Sequence, residues 1–186
     1  RSYLETSRTD SKNLITIDIV CHGVPSPYIW RDYLAYIEKE YHGKATAVSF
    51  RDKKVCGWTA HKESFIVNEK KVISDTYTNL FYKHIMFRHS CQVCHYTNAT
   101  RPSDITIADF WGWEEVDTDI NKDDKGVSLV LINSTKGKEL FENIKNCINF
   151  IKTEIGLAMQ PNLQQPSAMS PQRMDFENDY KLKGAE

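Results

Sequence analysis

Leu14-Ile15-Thr16-Ile17-Asp18-Ile19-Val20 runs directly into Cys21-His22-Gly23-Val24-Pro25-Ser26-Pro27, and this junction decides the fold. Seven residues dominated by branched aliphatics suit a buried strand. The Gly- and Pro-containing stretch that follows continues neither a strand nor a helix. Ser26 and Pro27 then have the chemistry of a helix start. A serine hydroxyl accepts an orphan backbone N–H, and the proline ring fixes φ where its missing N–H costs nothing. Ile29, Trp30, Tyr33, Leu34 and Ile37 recur at helical spacing and mark the apolar face of that helix. A strand passing through a loop into a helix opens an α/β or α+β domain.

Working outward, residues 45–50, 64–67 and 71–73 read as short strands, with Lys53, Lys54 and Gly57 marking turns. Together they predict a small antiparallel meander. Residues 79–87 are apolar at helical spacing and predict a helix leading into Cys91-Gln92-Val93-Cys94. Residues 104–110 form the next strand, 117–125 a charged loop, 127–133 a second buried strand. An amphipathic helix over 135–147 begins with Thr135 as its cap. The fold expected is a mixed sheet flanked by helices, with the meander beside it. One domain is expected over residues 1–160, followed by a weakly structured tail over 161–186, rich in Pro, Gln and Ser.

A chain of 186 residues, 40% hydrophobic, is long enough to bury one real core. Its net charge of −1 gives no electrostatic reason to bind nucleic acid or an anionic membrane. No apolar run has the length of a bilayer span, and no signal-peptide pattern opens the chain. Five cysteines are an odd count in a chain too large to depend on disulfides. They point to a reducing compartment, so the expected location is cytoplasmic. The start, Arg1-Ser2-Tyr3, lacks an initiator methionine and leads us to expect a piece of a longer polypeptide.

Cys91 and Cys94 are the main chemical signal, because C-x-x-C spacing turns two sulfurs toward one metal atom or cluster edge. Cys21 stands at the carboxyl end of a strand, where open α/β sheets place their ligands. Cys147 is read as a packed thiol on an apolar helix face, and Cys56 is read either way. Spacing alone leaves two metals open: an iron–sulfur cluster, or a zinc knuckle completed by histidines such as His22, His89 or His95. The strand end carrying Asp104, Asp109, Phe110, Trp111 and Gly112 is the second signal. Carboxylates there accept hydrogen bonds from a ribityl hydroxyl or ring N–H, Trp111 offers a stacking surface, and Gly112 admits a cofactor close to the backbone. Taken alone, the same residues are also read as a turn cap and core aromatics. Arg51 and Arg101 are the basic residues singled out for bidentate phosphate capture. No GxGxxG, Walker loop, HExxH or nucleophile elbow is present, and Ser26 and Ser90 have no evident base partner.

Several segments together carry a more specific signal: residues 18–26, Phe50-Arg51-Asp52-Lys53 with Gly57-Trp58, Ser90-Cys91-x-x-Cys94, Arg101-x-x-Asp104-Ile105-Thr106, Asp109-Phe110-Trp111-Gly112 and Lys125-Gly126-Val127-Ser128. In these the chain resembles the C-terminal domain of the coenzyme F420 hydrogenase/dehydrogenase beta-subunit family, in the version found among bacterial surface-polysaccharide genes. The resemblance implies a flavin- and iron–sulfur-dependent oxidoreductase that passes electrons between a 4Fe–4S cluster, FAD and a further acceptor. It implies Cys21, Cys91 and Cys94 as cluster ligands, with a fourth upstream. It places Arg51, Arg101, Asp104, Asp109, Trp111 and Gly112 on the flavin side. It also implies a ferredoxin-like N-terminal module or redox partner. With an incomplete ligand set, the 186-residue chain by itself is expected to be inactive and to lack iron. The alternative carried forward is a non-catalytic, zinc-stabilised module in a surface-polysaccharide pathway.

Overall fold

A computed structural model of the chain describes residue 6 and residues 12–184. The chain divides into two compact units. The first is built from Arg1–Cys21, His95–Lys122 and Gly126–Gln165, the second from His22–Cys94, Asp123–Lys125 and Pro166–Glu186. The architecture is mixed α/β, as expected: a mixed three-stranded sheet in the first unit and an antiparallel three-stranded sheet in the second.

In the first unit, β1 (Ile17–Ile19) pairs in parallel with β5 (Ile105–Asp109), which pairs antiparallel with β6 (Ser128–Ile132). In register, Ile17, Ile105 and Ile132 form one row across a face, and Ile19, Ile107 and Val130 the next. The opposite face carries Ala108, Leu129 and Leu131, which pack with Phe110, Ala158 and Leu163 into a core. The first face differs from expectation. Residues 14–20 and 127–133 read as buried strands, yet Ile17 and Ile19 are 56% and 61% exposed, and Ile107, Val130 and Ile132 are each 41% exposed. Only Ile105, at 6%, is buried on that face, and the backbone beside it meets Gly137 of α4 (Thr135–Ile144). The aliphatic run suggests burial on both sides, whereas only one side of the sheet carries its core.

In the second unit, α1 (Pro27–Glu40) begins as its sequence predicts: Ser26 caps it, accepting the Tyr28 N–H at 3.3 Å, and Pro27 stands in the first turn. Strands β2 (Ala45–Ser49), β3 (Glu63–Val67) and β4 (Lys70–Ser74) form the expected meander. Asn68 and Glu69, both at positive φ, close its two-residue hairpin. The α1 face with Tyr33 and Ile37 packs on Phe65, Val67 and Val72. Each such fully buried side chain contributes roughly 1.5–3 kcal/mol. A short helix α2 (Lys53–Cys56) occupies the expected turn and ends at Gly57, whose φ of 76° suits a residue without a Cβ.

Three boundaries move. Helix α3 spans Thr76–Tyr82, not residues 79–87. The Glu63 carboxylate, fully buried on β3, accepts the backbone N–H of Tyr77 (3.0 Å) and Thr78 (3.3 Å) and so starts the helix early. His84, at φ 57°, then turns the chain out of helix, and Ile85, Met86 and Phe87 are buried beyond it. The cap of α4 is Ser134, whose hydroxyl accepts the Gly137 N–H at 3.1 Å, not Thr135. That helix ends at Ile144, so Cys147 lies in a 3-10 turn with an exposed side chain rather than on a packed face. A four-residue helix α5 (Ile155–Ala158) follows. Within residues 161–186, where composition predicts a weakly structured tail, α6 (Arg173–Lys183) forms.

Candidate functional site

Cys91 lies within a 3-10 turn (His89–Val93), and Cys94 ends it. The turn departs from a clamped strand-like pair. Phe87 bridges Pro25 in antiparallel sense, and the Arg88 N–H donates to the Val24 carbonyl at 2.9 Å. The Cys91 N–H then closes back on the Arg88 carbonyl at 3.0 Å. This clamp brings the Val24 N–H to 3.3 Å from the Cys91 sulfur, in position to donate to a thiolate. Gly23 is required here, because a Cβ at that position would overlap the Phe87 ring. The motif 21–27 therefore does more than end a strand; it delivers a backbone donor to the C-x-x-C turn.

His22 and His84 face each other with their Nε2 atoms 3.0 Å apart. The separation is that of a hydrogen bond. His84 Nδ1 lies 3.2 Å from the Ala168 carbonyl, which only accepts. In a neutral His84 imidazole, Nδ1 therefore carries the proton and Nε2 accepts from His22 Nε2. These histidines belong to the packing beside Phe81, Tyr82 and Phe87. Among the described residues, no group of three or more His, Cys, Asp or Glu side chains is arranged to hold one metal ion. No disulfide joins any of the five cysteines. Cys21 falls in the first unit, Cys91 and Cys94 in the second.

The residues expected on the flavin side separate by place. Asp109 ends β5, and Trp111 and Gly112 follow it in the turn. Gly112 has φ 90°, and nothing occupies the space where its Cβ would stand. The Trp111 ring is partly exposed while its backbone N–H donates to Gln160 Oε1 at 3.2 Å. An aromatic surface beside side-chain-free backbone gives a flat ring room to approach.

Arg101 and Asp104 are engaged elsewhere. The Arg101 guanidinium is buried and donates from Nε (3.1 Å) and NH2 (2.7 Å) to Asp18, from NH2 to the Ile19 carbonyl, and from NH1 to the Tyr96 and Asn98 carbonyls. Its donors are committed to the chain's own backbone and to Asp18. Asp104 precedes β5, at the opposite end of that strand from Asp109. Its carboxylate accepts the Thr16 N–H (2.9 Å), the Thr16 hydroxyl (2.8 Å) and the Ser134 hydroxyl (2.6 Å), with Lys136 at 3.7 Å. The Ser134 hydroxyl foremost, then Thr16, hold its pKa down to about 2. Arg51, at φ 52° in the second unit, lays its guanidinium 5.6 Å from the centre of the buried Trp58 ring. Next to it, Asp52 accepts from Ser64 (2.6 Å) and Lys71 (2.8 Å), and Lys71 above all lowers its pKa.

Sequence reasoning missed Asp18 and Val24. Asp18 was visible as a lone charge within an aliphatic run, a position that demands a buried partner. Val24 acts through its backbone N–H, which no side-chain pattern reveals.

The donors present fit parts of the groups the motifs imply. Two thiols on one turn, one of them facing a backbone N–H, fit an edge of an iron–sulfur cluster, which is held by four cysteines. Asp109, Trp111 and Gly112 fit one side of a flat cofactor. Among the described residues no helix is long and apolar enough to cross a membrane. Searches of curated proteins and of solved structures found no match to this chain. A family model does match, over residues 1–155: the C terminus of the beta subunit of coenzyme F420 hydrogenase/dehydrogenase. Every sequence segment that carries the resemblance lies inside that span. The chain therefore belongs to the family of C-terminal domains of coenzyme F420 hydrogenase/dehydrogenase beta subunits, a redox-enzyme module.

Proposed function

We propose that this chain is the part of an oxidoreductase subunit that holds one edge of a 4Fe–4S cluster and one side of FAD. Cys91 and Cys94 are the thiolate ligands it contributes from one turn, with Cys21 as a third. Asp109, Trp111 and Gly112 line the flavin, and Arg51 is the remaining candidate for its phosphates. When bound, the cluster supplies one-electron transfer, and FAD couples one-electron to two-electron steps. The observation that carries this reading is the Val24 N–H placed 3.3 Å from the Cys91 sulfur, on a turn that ends at Cys94. An N–H aimed at a metal-bound sulfur tunes the potential of the metal it binds.

Arg101 and Asp104 enter this reading as supports. Arg101 fixes the end of β1 through Asp18 and Ile19, and Asp104 fixes the start of β5 through Thr16 and Ser134. Both set the strands whose ends carry Cys21 and Asp109. The remaining cluster ligand and a ferredoxin-like module, or a separate redox partner, complete the enzyme. The electron acceptor is a deazaflavin of the coenzyme F420 type or another two-electron carrier. The odd count of five cysteines supports a reducing, cytoplasmic location.

The test is absorbance of the full-length polypeptide purified without oxygen. The expected spectrum combines a structured flavin band with the broad absorption of an iron–sulfur cluster. Cys91→Ser and Cys94→Ser should each diminish the broad component and keep the flavin band. An undiminished broad component in both variants would refute the ligand assignment.

A further inference from the structure

Arg173 opens α6, beyond the span matched by the family model, and its side chain is almost wholly buried. A buried guanidinium is costly unless its donors are paired. Here NH1 donates to the Phe87 carbonyl, and Nε donates to Glu177 Oε1 at 2.7 Å. Glu177 in turn lies 3.9 Å from His89 Nε2, at the first residue of the cysteine turn. Phe87 is the residue from which that turn departs. Its backbone bridges Pro25, its neighbour Arg88 pairs with Val24 and receives the Cys91 N–H, and its ring fills the space beside Gly23. The same segment is tied again where the Ser167 hydroxyl donates to the His22 carbonyl at 2.6 Å.

We infer that Arg173 is a positioning residue for the Cys91–Cys94 turn. It acts through the Phe87 carbonyl, with Glu177 holding the guanidinium in place. The inference rests on the reading of Cys91 and Cys94 as metal ligands. A charge-assisted bond to a carbonyl is stronger than a neutral one, and it fixes Phe87 at the hinge of the turn. Without it, the Phe87–Arg88 segment keeps its bridge, the Arg88 bond to Val24 and the packing of the Phe87 ring, but loses its charged tie, and the aim of the Val24 N–H at the Cys91 sulfur loosens. The family-matched part supplies the thiols, and the last helix holds them to one geometry.

Cobalt(II) titration of this chain under reducing conditions tests it, because a thiolate–cobalt charge-transfer band reports sulfur ligation directly. Wild type should show the band, and Cys91→Ser and Cys94→Ser should each diminish it. Absence of the band in wild type would overturn the ligand reading together with this inference. Arg173→Met keeps the bulk and removes the donors. It should weaken cobalt binding about tenfold, the lower end for loss of a supporting partner. Its far-ultraviolet circular dichroism should match wild type, and Arg173→Lys should recover part of the affinity. Should Arg173→Met not fold, Glu177→Ala, at a partly exposed site, loosens the guanidinium instead and should weaken binding by less than the roughly tenfold expected for loss of the guanidinium itself. Wild-type affinity and band shape in a folded Arg173→Met, or in Glu177→Ala where Arg173→Met does not fold, overturns the role of Arg173 and leaves the ligand reading standing.

Discussion

Asp104 shows what a single carboxylate does when three segments meet at it. Thr16 ahead of β1, Ser134 ahead of α4 and Asp104 ahead of β5 are joined through its two oxygens. The folded-state pKa, about 2, lies below the ordinary 3.8. The unfolded chain therefore binds the proton more readily than the folded one. Asp104's contribution is complete above about pH 4 and is lost as pH falls toward 2. Urea midpoints measured from pH 5 to pH 2 should fall through that window in wild type and fall less steeply in Asp104→Asn. At neutral pH the Asn variant should already be less stable by roughly 1–3 kcal/mol, since buried donors from Thr16 and Ser134 lose a charged acceptor. Equal slopes for the two proteins would show that Asp104 titrates alike folded and unfolded. In sequence, Asp104 and Arg101 look like a carboxylate and a cation offered to a ligand. Their partners Thr16 and Asp18 lie more than 80 positions away, a distance over which no local pattern carries information.

Elements whose cause is local were legible. The Ser26–Pro27 start of α1 and the three-stranded meander follow from residues within one turn or one hairpin of each other. The start of α3 was not legible, because its cap is Glu63 from a different strand. The sheet of the first unit was half legible: its strands were found, but its faces were not, since a run of isoleucine and valine reads the same with one side buried or two. The two rows of that face now make a graded prediction. Ile105→Ala should destabilise by about 2–4 kcal/mol, because it leaves a cavity under α4. Ile19→Ala, on the same face but 61% exposed, should cost less than about 1 kcal/mol. Denaturant unfolding of both variants checks this, and a large loss in Ile19→Ala would mean that face is covered in solution.

At the scale of the molecule, the C-x-x-C turn is, by its spacing alone, a pincer open to zinc or to iron–sulfur. The structure adds a backbone donor at one sulfur and a histidine pair whose ring nitrogens lie at hydrogen-bonding distance from each other. The family match then places the chain among redox-enzyme modules. What stayed out of reach from sequence was the support: a glycine that makes room for Phe87, and an arginine 86 positions downstream that holds its carbonyl. The most direct test is elemental: iron, acid-labile sulfide and zinc per polypeptide in the anaerobically purified full-length protein. A cluster-holding subunit should yield at least about four iron and four sulfide per chain, the composition of one 4Fe–4S cluster, without stoichiometric zinc. One zinc per chain with neither iron nor sulfide would contradict that assignment and would make this a zinc-stabilised module.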